Sequence, residues 1–117
     1  MWLFTKAGFF SAVRRGDRIL VRSRVGSDLD RLRQLYLPEL GTSQATPELD
    51  YPFRATVDPA AFAAAMPRMA RDLDYPNFKA KVREIDGEDR AHVYADVWEA
   101  AHGLQELNCD MRPTKAV

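Results

Sequence analysis

The stretch Gly8-Phe9-Phe10-Ser11-Ala12-Val13-Arg14-Arg15-Gly16-Asp17-Arg18-Ile19-Leu20-Val21-Arg22-Ser23-Arg24-Val25 decides the fold. Apolar and polar residues alternate with period two on both sides of a Gly-Asp pair, the pattern of two half-buried strands joined by a tight turn. Phe9, Ser11 and Val13 share one face of the first strand; Ile19, Val21, Ser23 and Val25 share one face of the second. A three-residue loop, Arg15-Gly16-Asp17, sets Arg14 opposite Arg18, Ala12 opposite Leu20 and Phe10 opposite Arg22. This register places the odd-numbered residues of both strands on one side and the even-numbered ones on the other.

Working outward, Ser27 reads as the N-cap of a helix. Asp28 and Asp30 supply negative charge at its positive end, and Leu29, Leu32, Leu35 and Tyr36 form its apolar stripe. Pro38 and Gly41 end it. Residues 40–50 read as a surface loop, and Tyr51 to Val57 as a third strand with Tyr51, Phe53, Ala55 and Val57 on one face. Asp58-Pro59 opens a second helix carrying Phe62, Met66, Met69 and Leu73, with Pro67 inside it. Residues 77–85 fit either a helix capped by Asn77 or an alternating strand, and the helix is the preferred reading. Asp86-Gly87-Glu88-Asp89 turns into a last helix over about residues 90–107, with Tyr94, Val97, Trp98, Ala101 and Leu104 as its buried face.

The expected class is α+β: a mostly antiparallel sheet of three strands, or four if Trp2 to Thr5 pairs, with helices packed on one face. Residues 1–107 read as one domain and 108–117 as a tail. At 117 residues the chain can bury a core without a metal or disulfide. Its one cysteine, Cys109, has no partner for an intramolecular bridge, which fits a reducing compartment. No apolar run approaches the roughly 20 residues that span a bilayer, and no signal-peptide pattern is present. Cytoplasmic residence, without membrane contact, is the expectation.

Net charge is zero but unevenly placed. Residues 1–34 carry eight basic side chains (Lys6, Arg14, Arg15, Arg18, Arg22, Arg24, Arg31, Arg33) against three acids (Asp17, Asp28, Asp30), a surplus of +5 that the remainder balances with −5. In the expected register Phe10, Arg14, Arg18, Leu20, Arg22 and Arg24, with Arg54 from the third strand, share the even-numbered sheet face. Like charges across a ladder cost stability unless solvent, an aromatic ring or a ligand takes them up. The solvated face of an antiparallel sheet accounts for such a patch. A docking face for an acidic partner accounts for it as well, with Phe10, Arg14, Arg18, Arg22, Arg24 and Arg54 as the binding set and the adjoining Trp2 to Phe10 segment sharing the contact. Guanidinium groups and rings also suit single-stranded nucleic acid, but no RNP-type, helix-turn-helix or zinc-finger pattern is present, so protein stands before nucleic acid.

Other constellations are weaker. His92, Asp96 and Glu99 fall on one helical face, and His92 with Asp96 could hold a metal for a small hydrolase or nuclease. The same spacing is common on solvated helices. Residues 86–89 lack the spacing of a calcium loop. Ser11 and Ser23, within mutual reach on the apolar face, have no nucleophile elbow around them. Asp74-Tyr75-Pro76-Asn77-Phe78-Lys79 could line a pocket or cap an inter-helix turn. No Gly-rich phosphate loop occurs, and no cofactor is implied. A non-catalytic binding or regulatory module is the leading expectation, a metal-dependent enzyme the alternative, and self-association of oppositely charged halves a third.

The opening Met1-Trp2-Leu3-Phe4-Thr5-Lys6-Ala7-Gly8-Phe9-Phe10-Ser11-Ala12-Val13 resembles that of a group of small, uncharacterised bacterial proteins beginning MWLFTK, any residue, GF, an aromatic, Ser, any residue, Val. The resemblance extends to Val21-Arg22-Ser23-Arg24-Val25, to residues 28–32, to residues 74–79, and to Tyr94-Ala95-Asp96-Val97-Trp98. It implies a bacterial or phage cytoplasmic source and transfers no functional residue.

Overall fold

The computed structural model describes residues 1–108. Cys109 and the rest of the expected tail lie outside the described residues. Two units are delimited, Met1–Asp74 and Tyr75–Val117.

The first unit holds five strands: β1 (Trp2–Thr5), β2 (Gly8–Arg15), β3 (Arg18–Ser23), β4 (Gln44–Ala45) and β5 (Phe53–Val57). They form one antiparallel sheet in the order β1-β2-β3-β5-β4. The α+β expectation holds, with five strands rather than three or four. Trp2–Thr5 does pair, against β2, and Gln44–Ala45 pairs with β5 from within what reads as a loop. Two residues are too few to show a period.

The hairpin register departs from expectation by one residue. Arg15 stands opposite Arg18, Arg14 opposite Ile19, Ala12 opposite Val21 and Ser11 opposite Arg22. The turn closes in two residues because Gly16, at φ 61°, adopts the left-handed conformation that such turns require. Even positions of β2 therefore share a face with odd positions of β3. Phe10, Ala12 and Val21 join Leu3 of β1 and Ala55 and Val57 of β5 in the core. Covering them are α1 (Gly26–Leu35) and α2 (Pro59–Arg71), through Leu29, Leu32, Phe62 and Ala65. Phe10 alone, fully buried, contributes about 1.5–3 kcal/mol. Ser11 and Ser23 consequently lie on opposite faces.

Ser27 does not cap α1. The N-cap is Val25, with no side-chain hydrogen bond, and the Ser23 hydroxyl serves the preceding turn by accepting from Val25 N and donating to Val25 O. Asp28 turns inward instead. Only 2% exposed, it accepts the Phe9 N–H (3.1 Å) and pairs with Arg31 (3.1 Å), tying α1 to the start of β2. Gly8 makes this approach feasible: a Cβ there would lie 2.3 Å from the Asp28 carboxyl, and its φ is 141°. The expected cap of α2 is present, Asp58 accepting from Ala60 N at 3.1 Å, and Pro67 stands inside that helix without ending it.

The second unit contains α3 (Phe78–Asp86), α4 (Glu88–Ala101) and α5 (Gly103–Asn108). The ambiguous stretch at 77–85 is helical because Asn77 Oδ1 accepts the Ala80 N–H at 2.8 Å, an N-cap that a strand cannot use. Gly87, at φ 96°, ends α3 and starts α4. Phe78 stacks on Tyr94 (5.7 Å, 9°), and Val82, Ala91 and Tyr94 are buried. Of the face expected to be buried on the last helix, Tyr94 alone is. Val97, Trp98, Ala101 and Leu104 are exposed, Trp98 at 54%. Among the described residues no helix is long and apolar enough to cross a membrane.

Candidate functional site

Side chains on alternate strand positions point to the same side of a sheet. The pairings place Trp2 and Phe4 of β1, Phe9, Ser11, Val13 and Arg15 of β2, Arg18, Leu20 and Arg22 of β3, and Arg54 and Thr56 of β5 on one face. In the first unit both helices lie against the opposite face.

Of the arginines expected together, Arg18, Arg22 and Arg54 share this open face, and Arg24 leans over it from just beyond β3. Two members of the set do not. Phe10 is 0% exposed under the helices, and Arg14, opposite Ile19, belongs by parity to the helix side at the strand's end. The one-residue register shift removes both and substitutes their neighbours, an aromatic for an aromatic and an arginine for an arginine: Phe9 and Arg15. Like charges stand directly opposite at Arg15–Arg18 and at Arg22–Arg54.

The ring of Tyr51, just before β5, takes up part of this charge. The guanidinium carbons of Arg22 and Arg24 lie 4.7 and 4.5 Å from its centroid, and the residue is 4% exposed. Such cation–π contacts are worth about 0.5–2 kcal/mol each. Short hydrogen bonds complete the clasp: Arg22 Nη2 donates to Ser11 Oγ at 2.7 Å, and Arg24 Nη1 to the Asp50 carbonyl at 2.6 Å. Arg22 Nε is buried without a partner, an unsatisfied donor that costs about 1–3 kcal/mol. Arg54 Nε donates to the Tyr51 carbonyl at 3.2 Å, while its Nη2 is 3.7 Å from the Asp50 carboxylate. Arg18 Nη2 reaches Thr56 Oγ1 at 3.5 Å. Beside them a groove is lined by Leu20, Gly41, Thr42, Gln44, Arg54, Ala55 and Thr56.

Toward β1 the face becomes aromatic. Phe4 and Phe9 stack at 4.3 Å (14°), Trp2 meets Phe9 edge-on at 5.7 Å, and Phe9 is 6.3 Å from Tyr51. Trp2, 65% exposed, is the ring left open to solvent. The sequence pattern puts Tyr51 on the face of Phe53, Ala55 and Val57, brings in Trp2 and Phe4 only through the segment adjoining the arginine face, and gives Ser11 and Asp50 no part in it. The shared motif of aromatic residues at 2, 4 and 9 was visible, but only the true register aligns them.

The other constellations take simple forms. His92 Nε2 and Asp96 Oδ2 are 4.0 Å apart on the exposed side of α4, and among the described residues no three His, Cys, Asp or Glu gather as a metal site. Glu88 pairs with Arg83 at 2.9 Å across the Gly87 turn. In the 74–79 stretch, Asp74 pairs with Lys6 (3.2 Å), Asn77 caps α3, and Lys79 lies 4.5 Å over the Trp98 ring. No family model, curated protein or solved structure matches this chain.

Proposed function

We propose that the protein is a non-catalytic, cytoplasmic binding or regulatory module whose open sheet face contacts an acidic protein partner. The observation carrying this reading is the concentration of Arg15, Arg18, Arg22, Arg24 and Arg54 about the side of the sheet that the first unit's own helices leave uncovered, two directly opposed pairs among them. One carboxylate, that of Asp50, stands near Arg54 in partial compensation. Repulsion of this kind is unfavourable in isolation and is relieved by an incoming anionic surface. Protein is favoured over nucleic acid because the rings are occupied with one another: Tyr51 is enclosed between guanidinium groups and Phe4 is stacked on Phe9, leaving Trp2 to receive a base.

Arg15→Glu/Arg18→Glu tests the reading without touching the Tyr51 clasp. The parent is retained on immobilised poly-glutamate at low salt and released as salt rises, and the double variant flows through with unchanged circular dichroism. Equal retention of parent and variant refutes the proposal.

Self-association is a second reading, supported by the exposed Val93, Val97, Trp98, Leu104 and Leu107 of α4 and α5. Light scattering over a concentration series reads it directly. A monomer throughout excludes it.

A further inference from the structure

The arginines of this chain divide by the length of the bonds they make. Arg22, Arg24 and Arg68 each donate at 2.6–2.7 Å to a hydroxyl or carbonyl of the chain, and Arg33 binds two carbonyls and a hydroxyl. Their guanidinium groups are committed to structure. Arg18 and Arg54 differ. The ends of their guanidinium groups reach only Thr56 Oγ1 at 3.5 Å and Asp50 at 3.7 Å, both longer than the 2.7–2.9 Å of a charge-assisted hydrogen bond. Arg54 is nonetheless held in place, its side chain 19% exposed and its Nε on the Tyr51 carbonyl.

These two flank one feature. Arg54 and Thr56 are same-face neighbours on β5 and line the groove, and Arg18 touches the Thr56 hydroxyl from β3. Thr42 and Gln44 add neutral donors along the opposite wall. Gly41 lets that wall close in: it donates to the Thr56 carbonyl at 2.9 Å, and a Cβ there would stand 3.2 Å from the same oxygen. One arginine, two threonines and a glutamine thus line a short polar recess together with Leu20 and Ala55, and the Arg18 guanidinium reaches the Thr56 hydroxyl from beside it. Such a donor set suits a compact group with several anionic oxygens better than a single carboxylate.

We infer that the recess lined by Arg54 and Thr56, with Arg18 beside it at the Thr56 hydroxyl, is an anion site for a phosphomonoester carried by the acidic protein partner. The inference rests on the open-face reading above and names the chemistry of the group received there. Arg18 and Arg54 supply forked donors, and the Thr56 hydroxyl turns from Arg18 toward the phosphoryl oxygens. A phosphorylated side chain is favoured over a nucleic-acid strand because the recess takes one group, and a strand needs a track of stacking rings that this face keeps packed.

The test titrates inorganic phosphate into the full chain by ¹⁵N NMR, then compares a phosphothreonine peptide, its unphosphorylated form and a short single-stranded oligonucleotide. Expected are shifts centred on the amides of Thr42, Gln44 and Thr56, with phosphorylation tightening peptide binding. Arg18→Gln, at an exposed position, weakens phosphate by about tenfold, the loss of one charge-assisted contact, while Arg14→Gln on the other side of the sheet leaves it unchanged. No shift at those amides, equal weakening by both variants, equal binding of the two peptides, or binding of the oligonucleotide in place of the phosphopeptide overturns the assignment. Retention on poly-glutamate, lost in Arg15→Glu/Arg18→Glu, survives such a failure if only the recess is misassigned.

Discussion

Replacing Gly8 and Asp28 singly and together measures the joint on which the position of β2 under α1 depends. Asp28→Ala leaves the Phe9 N–H without its acceptor and Arg31 without the carboxylate at 3.1 Å. A buried donor stripped of its partner costs about 1–3 kcal/mol, and a broken buried ion pair costs about 3–5 kcal/mol. Arg31, with its side chain 25% exposed, recovers some hydration, so the total falls near 2–4 kcal/mol. Gly8→Ala acts from the other side. It places a Cβ 2.3 Å from the Asp28 carboxyl and forces a non-glycine residue to φ 141°, together about 2–4 kcal/mol. The two costs overlap, because Asp28→Ala removes the carboxyl atoms that the new methyl group meets at 2.3 Å and the contacts that this clash would itself disrupt, leaving the backbone strain and the closer approach of the Asp28 Cβ at 2.6 Å. Urea unfolding of parent, single and double variants at constant m-value therefore shows the double less destabilised than the sum by about 1 kcal/mol or more. Additivity to within about 0.5 kcal/mol refutes the proposed contact.

Three further outcomes follow from single contacts. Tyr51→Ala removes the ring between Arg22 and Arg24 and lowers stability by about 2–4 kcal/mol in the same assay, whereas Tyr51→Phe keeps the ring face and stays within about 0.5 kcal/mol. Ser11→Ala deprives Arg22 of its 2.7 Å acceptor when its Nε already lacks one, a loss of about 1–3 kcal/mol that a Val13→Ala control does not reproduce in the Arg22 Nε–Hε NMR signal. Asn77→Ala removes the N-cap of α3 at about 1 kcal/mol, read as earlier hydrogen exchange at Ala80, and Asn77→Asp restores it.

Much of the architecture is legible in the residues alone. The presence of the hairpin, the Asp58-Pro59 and Asn77 helix starts and the heptad-like spacing of Phe62, Met66 and Met69 each rest on local chemistry, and each is present in the structure, the hairpin in a register one residue from the expected one. What escaped depends on choices between near-equal local options. Phe9 and Phe10 are adjacent rings and Arg14 and Arg15 adjacent cations, so sliding the register by one residue preserves the pattern on both faces. Only the left-handed Gly16 distinguishes a two-residue turn from a three-residue one. Asp28 looks like a dipole-compensating helix residue and is instead a buried tether, a role created by a glycine 20 positions earlier. Gln44–Ala45 carries no strand signal because its pairing is supplied by β5. The apolar spacing of α4 and α5 reads as a buried stripe, yet packing against α3 uses Ala91 and Tyr94 and leaves Val97 and Trp98 in solvent. The arginine face was anticipated through Arg18, Arg22, Arg24 and Arg54, while its aromatic half, Trp2, Phe4 and Tyr51, needed the true pairings.

The most direct measurement follows the arginine Nε–Hε resonances of the full chain while an acidic peptide is added at low salt. The docking account predicts that Arg15, Arg18 and Arg54 move together and saturably, that salt reverses the movement, and that Arg14 and Arg33 stay in place. Uniform small shifts over all the arginines, or movement at Arg14 matching that at Arg18, would show a merely solvated charge distribution and contradict it.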